Sequence, residues 1–108
     1  PRNKNSMTKN ELIDVLSRRT GIDAFIVRTI VDTFADEVAK QLLGGESVHM
    51  RGFGTFTTKH RAQKMGRNIN KKQIVLIPAH DQPVFNPSET LKMAVKEKTK
   101  KEIVLPIQ

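Results

Sequence analysis

Between Ser47 and Pro78 the chain carries seven basic side chains and no acid. The same stretch is patterned to fold. Ser47–Arg51 alternates polar and apolar residues, Gly52, Gly54 and Gly66 punctuate it, and Gln73–Ile77 is β-branched and apolar. A structured segment of one charge sign repels itself, so it must be laid out as a surface that meets an anion. The remainder does not share the excess: residues 1–7 carry +2, residues 8–46 carry −2, residues 47–78 carry +7 and residues 79–108 carry +1, within a net +8. The partner this implies is a polyanion, either nucleic acid or an anionic membrane surface.

The flanking segments read as helices. Thr8-Lys9-Asn10-Glu11 is a capping box, followed by Leu12, Ile13, Val15 and Leu16 at helical spacing and by Gly21 as a left-handed stop. Asp23 caps a longer helix whose apolar stripe is Phe25, Ile26, Ile30, Val31, Phe34, Val38, Leu42 and Leu43, ended by Gly44-Gly45. Strands are predicted over Ser47–Arg51, over Thr57–Met65 with Gly66-Arg67-Asn68 as an interruption, and over Gln73–Ile77 before Pro78. Arg51–Phe56 reads as a tight turn in which both glycines serve a bend. Residues 57–80 then form one long hairpin turning near 68–72, an arm with a reach of roughly 40 Å. Val84–Glu89 opens a last helix, with Asn86 as its cap and Pro87 in its first position. Residues 1–7 read as a lead-in, 8–46 as a helical dimerisation part, 47–80 as sheet and arm, 86–96 as the C-terminal helix and 97–108 as a tail.

Other classes of function find little support. There is no cysteine, hence no disulfide framework and no thiolate metal site. No apolar run is long enough to span a bilayer and no secretory leader opens the chain, so a cytoplasmic location is expected. A membrane-surface reading needs the cations on an amphipathic helix, and here they fall on predicted strands. With no Trp, no Tyr and five Phe, aromatic platforms for stacking single strands are scarce. His60 and His80 face each other near the base of the predicted hairpin, without a third ligand, so no metal is assigned. No nucleophile elbow, phosphate loop or paired carboxylate is present, so neither catalysis nor a cofactor is expected.

Gly52-Phe53-Gly54-Thr55-Phe56, Gly66-Arg67-Asn68, Ile77-Pro78-Ala79 and Phe85-Asn86-Pro87 together resemble the HU/integration host factor family, whose pattern is a Gly-Arg-Asn-Pro tip, an Ile-Pro-Ala return and a Phe-x-Pro lead into the last helix. The resemblance spans roughly residues 7–96. It implies an α+β fold built as an intertwined homodimer, with a helical body, a β-sheet saddle and two protruding β-ribbon arms. It also implies a nucleoid-associated protein that binds duplex DNA in the minor groove with little sequence preference and bends it. A sequence- or structure-selective bender, a binder of junctions, nicks or RNA, and a heterodimer with a paralogue remain open alternatives.

By position, the resemblance puts Lys59, Arg61, Lys64 and Arg67 along the phosphates, with Arg51, Lys71, Lys72, Lys92 and Lys9 as further DNA contacts and Asn68 at the groove floor. Phe34, Val38, Phe53, Phe56 and Phe85 are expected in a core shared by two chains. The departures are specific. Ile69 stands where the family has its wedge proline, Lys72 where the tip turn has glycine, and Asn86 and Glu89 where lysines are common. An aliphatic wedge at Ile69 is still able to unstack a base step. The last two departures weaken the phosphate grip beside the C-terminal helix.

Overall fold

A computed structural model describes residues 5–99. The apolar tail at 103–107 and the start of the lead-in fall outside that range. The chain is α+β: α1 (Lys9–Thr20), α2 (Ala24–Leu43), β1 (Val48–Met50), β2 (Gly54–Arg61), β3 (Lys64–Asn68), β4 (Gln73–Ile77), β5 (His80–Pro87) and α3 (Glu89–Thr99). The chain divides into two compact units, with the boundary along the sequence between Lys40 and Gln41.

In the helical unit, both N-termini are set by side chains that satisfy orphan backbone amides. Thr8 and Glu11 form the reciprocal capping box of α1, and Gly21, at φ 75°, closes it with a bond from its N–H to the Ser17 carbonyl. The Phe25 N–H donates to Asp23 Oδ1 at 2.9 Å, which makes Asp23 the cap of α2. The two helices are tied by Lys9 Nζ to Asp32 Oδ1 at 2.8 Å and by Arg28 Nη1 to Asn10 Oδ1 at 2.7 Å. Burial is thin: among the described residues only Ile13 and Val27 count as buried apolar side chains. Phe25, Ile26, Ile30, Phe34 and Leu43 of the predicted stripe are exposed in the single chain.

In the second unit, β1, β2 and β5 form an antiparallel sheet in the order β1-β2-β5, and β3 and β4 form a separate two-stranded ribbon. Phe56 lies directly opposite Phe85, with ring centroids 5.0 Å apart, and Phe53 stacks on Phe85 at 5.1 Å. Such tilted pairs are a favoured aromatic geometry. They give one face of the sheet its apolar character.

Four sequence expectations are corrected. Val84–Pro87 is not the start of a helix. It is the end of β5, with Asn86 opposite Thr55 and Pro87 opposite Gly54. Ser88 caps α3 instead: its Oγ accepts from the Leu91 N–H at 3.1 Å and donates to the Gly52 carbonyl at 3.0 Å. Pro83 and Pro87 are tolerated because β5 is an edge strand.

The second correction concerns the hairpin. Gly66-Arg67-Asn68 lies inside β3, and the break comes earlier, at Ala62-Gln63. Pro78 and Ala79 occupy the other side of the break, and Pro78 has no N–H to give the ladder. The register nevertheless runs through: Arg61 faces His80, Lys64 faces Ile77, and two residues separate them on each strand. Gly66 leaves room for Ile77, whose Cδ1 would stand 3.0 Å from an added Cβ.

Thirdly, only Gly52 serves a bend, at φ 82°. Gly54 starts β2 and is required by crowding: a Cβ there would come 2.5 Å from Phe85 Cζ and 2.6 Å from the Asn86 carbonyl oxygen. Fourthly, His60 and His80 do not face one another. His60 pairs with Asp81 and His80 with Arg61, which puts the two imidazoles on opposite faces.

Candidate nucleic-acid interface

Side chains alternate along a strand and cross-strand partners share a face. One face of the sheet therefore carries Thr55, Thr57, Lys59 and Arg61 from β2, with Asn86, Val84, Gln82 and His80 from β5 and His49 from β1. Its polar groups are held in place. His49 Nδ1 is 2.9 Å from Thr55 Oγ1, Ser47 Oγ is 2.7 Å from Thr57 Oγ1, and Arg61 Nε donates to Gln82 Oε1 at 3.1 Å. No carboxylate sits on this face. Asp81, the one acid of β5, belongs to the other face and is bonded to His60 Nδ1 at 2.9 Å. Ser47, His49, Arg51, Thr55, Thr57 and Asn86 line a shared open hollow on this side.

The ribbon extends this face. The residue count is conserved across the unpaired step at Ala62-Gln63 and Pro78-Ala79, so the alternation of Lys59 and Arg61 leads on to Met65 and Arg67, opposite Leu76 and Ile74. Lys64 belongs to the reverse face, opposite Ile77. Lys71 and Lys72 lie in the turn. Among the described residues, Arg51, Lys59, Lys64, Arg67, Lys71 and Lys72 form no ion pair. Lys9 and Lys92 stand apart, since each already holds a carboxylate: Asp32 at 2.8 Å and Glu89 at 3.3 Å. Both pairs are exposed, and such pairs contribute at most about 1 kcal/mol.

The tip has a defined shape. Asn68 Oδ1 accepts from the Lys71 N–H at 3.2 Å, so the side chain expected at a groove floor also closes the turn. Lys72 takes φ 52°, the left-handed conformation a glycine adopts at no cost. Ile69 is 80% exposed beside Arg67 and Ile74. The five residues expected in a shared core divide between the units: Phe34 and Val38 on α2, Phe53, Phe56 and Phe85 in the sheet unit.

Lys72→Gly should relieve the left-handed strain by about 0.5–1 kcal/mol after the unfolded-state entropy of glycine is counted. The ribbon is paired with no other strand, so its opening should be independent of the rest of the domain, and amide exchange in β3 and β4 should slow by roughly two- to fivefold with the global melting temperature unchanged. Faster exchange in the variant would mean that Lys72 is not strained.

Sequence reasoning did not find Gln82, which orients Arg61, nor Ser88, which ties α3 to the β1–β2 turn. The signal for Ser88 was available: a hydroxyl immediately before an acidic first turn is a cap.

A small α+β chain whose unpaired cations line one sheet face and a β-ribbon, with its acids held elsewhere, defines the class of basic β-ribbon nucleic-acid binders. Comparison with known proteins narrows the class. Residues 7–96 match the family model described as bacterial DNA-binding protein. DNA-binding protein HU of Xylella fastidiosa strain 9a5c is 36% identical over 90 residues, covering 83% of this chain and 96% of the relative. Among solved structures, HU from Thermotoga maritima is similar at 29% identity and a TM-score of 0.59, covering 83% of this chain and all of that one. An Anabaena HU–DNA cocrystal structure shares the fold at a TM-score of 0.78 and 24% identity, covering 82% of this chain and 97% of that one. The chain belongs to the bacterial DNA-binding protein family of HU and integration host factor. It is a DNA-binding architectural protein and not an enzyme. Among the described residues no helix is long and apolar enough to cross a membrane.

Proposed function

We propose that the protein acts as a homodimer that lays the polar sheet face on duplex DNA, embraces the minor groove with two ribbons and bends the duplex with little preference for sequence. The observation that carries this reading is the acid-free cationic face that continues, in one register, from β2 and β5 into a ribbon paired with nothing else. Phosphate contacts position a protein without naming a sequence, and the minor groove offers only a degenerate code. Binding through Lys59, Arg61, Lys64 and Arg67 is therefore sequence-tolerant. Arg51 serves the sheet, and Asn68, Lys71 and Lys72 serve the tip. Lys9 and Lys92 join only by exchanging a carboxylate for a phosphate. The place of work is the cytoplasm, on the nucleoid.

Dimerisation follows from the thin core. A chain that buries Ile13 and Val27 and leaves most of the α2 stripe exposed lacks the apolar burial that folding needs. A second copy that covers Phe34 and Val38 and encloses Phe53, Phe56 and Phe85 supplies it. One ribbon, moreover, cannot enclose a duplex. Light scattering at micromolar concentration should return twice the mass of the 12.2 kDa chain. A folded monomer there would remove the shared core.

Bending is assigned to Ile69. In the HU and integration host factor family, apolar side chains at the arm tips wedge between base pairs, and an exposed isoleucine is suited to that role. Energy transfer between dyes at the two ends of a duplex tests it. Ile69→Ala should lower the transfer at saturating protein markedly while the dissociation constant rises by less than about tenfold. Unchanged transfer in the variant would take the wedge away from Ile69.

A further inference from the structure

The ribbon is less polar than phosphate binding requires. On the face that continues Lys59 and Arg61, Met65 is 64% exposed, Ile74 70% and Leu76 52%, with Arg67 as the only charge among them. Met65 lies opposite Leu76, and Ile74 opposite Arg67, so the four side chains form one patch. Ile69 adjoins it at the tip, where it lines a hollow with Arg67 and Ile74. No other strand pairs with the ribbon to cover this patch. Surface of this kind, rimmed by Lys71 and Lys72 and with no acid in either strand or the turn, marks a contact site for a partner that is apolar to the touch and anionic at its margins.

The minor groove of DNA is such a partner. Its walls are the C–H edges of deoxyribose and its margins are phosphates. A duplex of RNA differs at the point of contact, because its wide, shallow minor groove displays 2′-hydroxyls. Packing Met65, Ile74 and Leu76 against those hydroxyls would strip them of water without providing a hydrogen-bond partner.

We propose that the apolar face of the ribbon, Met65, Ile74 and Leu76 with Ile69 at its end, selects deoxyribose over ribose and makes this protein a discriminating binder of DNA rather than of any duplex. This rests on the reading of the ribbon as a minor-groove clamp and adds to it a chemical reason for rejecting RNA. Cations alone give no such selectivity, since both backbones carry the same phosphates.

Anisotropy titrations with DNA and RNA duplexes of matched sequence, at one salt concentration, test the proposal on the full chain. The wild type should bind DNA at least about tenfold more tightly than RNA, on the cost of burying a hydroxyl without a partner. The double variant Ile74→Thr/Leu76→Thr should lose affinity for DNA while its affinity for RNA holds or rises, so that the preference shrinks to within about threefold. Met65→Thr provides an independent, smaller step in the same direction should the double variant fail to fold.

Equal affinity of the wild type for the two duplexes, or an unchanged preference in the variants, would overturn the proposal while leaving the DNA clamp intact. A wild type that neither binds nor bends DNA would instead overturn the clamp itself. Light scattering of the free proteins gives the last outcome: if the wild type assembles beyond the dimer and the Thr variants do not, the patch belongs to a second copy of the chain and the proposal fails.

Discussion

Raising the salt concentration is expected to cost this protein more affinity than any single substitution. With about 6–10 phosphates neutralised per dimer, the DNA dissociation constant should rise roughly 10³–10⁵-fold between about 50 and 200 mM monovalent salt. The count is physically available. Each chain presents seven cations between Ser47 and Pro78, and none of them forms an ion pair among the described residues, Arg61 being bonded to the neutral Gln82 amide. Their lack of internal partners matters, because a lysine that exchanges a carboxylate for a phosphate releases fewer counterions on balance. Lys9 and Lys92, held by Asp32 and Glu89, should therefore contribute less to the slope than Lys59 or Arg67. Titrations at four or five salt concentrations give the slope directly. A dissociation constant that is flat in salt would mean that the cationic face does not meet phosphates. The intercept carries separate information, since the contribution of Met65, Ile69, Ile74 and Leu76 is not ionic and survives where the electrostatic part is screened.

Legibility of the molecule in its sequence followed the range of the forces involved. Thr8, Glu11, Gly21 and Asp23 act within a turn of their own positions, and the ends they set were readable from neighbours alone. The strand β5 was not, because Pro83 and Pro87 argue against a strand locally and are permitted only by a place at the sheet edge, which is a property of the sheet. Gly54 and Gly66 looked like backbone punctuation. Both in fact make room for side chains distant in sequence, Phe85 and Ile77. The cations were legible as a set, because charge is counted without knowing the fold. Their division into faces required the register. The run Ile74-Val75-Leu76-Ile77 was legible as an apolar strand of the arm, but not which of its side chains stay uncovered, and most of it is exposed on the ribbon. Sequence pattern reports what a segment could bury, and only the tertiary structure reports that nothing within the chain covers it. Lys72 is a similar case: the tip keeps the left-handed turn that glycine usually provides, because closure by Asn68 at Lys71 constrains the backbone whatever residue follows.

The substitution expected to damage the fold most for its size is Gly54→Ala. One methyl group at this position would stand 2.5 Å from Phe85 Cζ and 2.6 Å from the Asn86 carbonyl oxygen. A ring is able to turn aside, but a backbone carbonyl moves only with its strand. Gly54 pairs with Met50 on one side and Pro87 on the other, so β2 is the central strand and cannot shift away from β5 without disturbing β1. Displacing β5 would pull Phe85 off Phe53 and Phe56 and strain the bond from the Ser88 N–H to the Phe53 carbonyl at 2.9 Å, which fixes the start of α3. Overpacking of this kind costs about 2–3 kcal/mol, which in a domain of this size lowers the melting temperature by roughly 10–20 °C. Gly52→Ala is the control. Its added methyl meets nothing within 4 Å, and the cost is confined to the left-handed backbone at φ 82°, about 1 kcal/mol. Calorimetry on the two variants should therefore separate them clearly, with Gly54→Ala the less stable. Adding Phe85→Leu to Gly54→Ala isolates the cause. If the ring is the obstacle, the second change recovers stability. If the Asn86 carbonyl is the obstacle, it recovers none, and the tight approach of β2 to β5 is the constraint that holds the sheet face and its ribbon in one register.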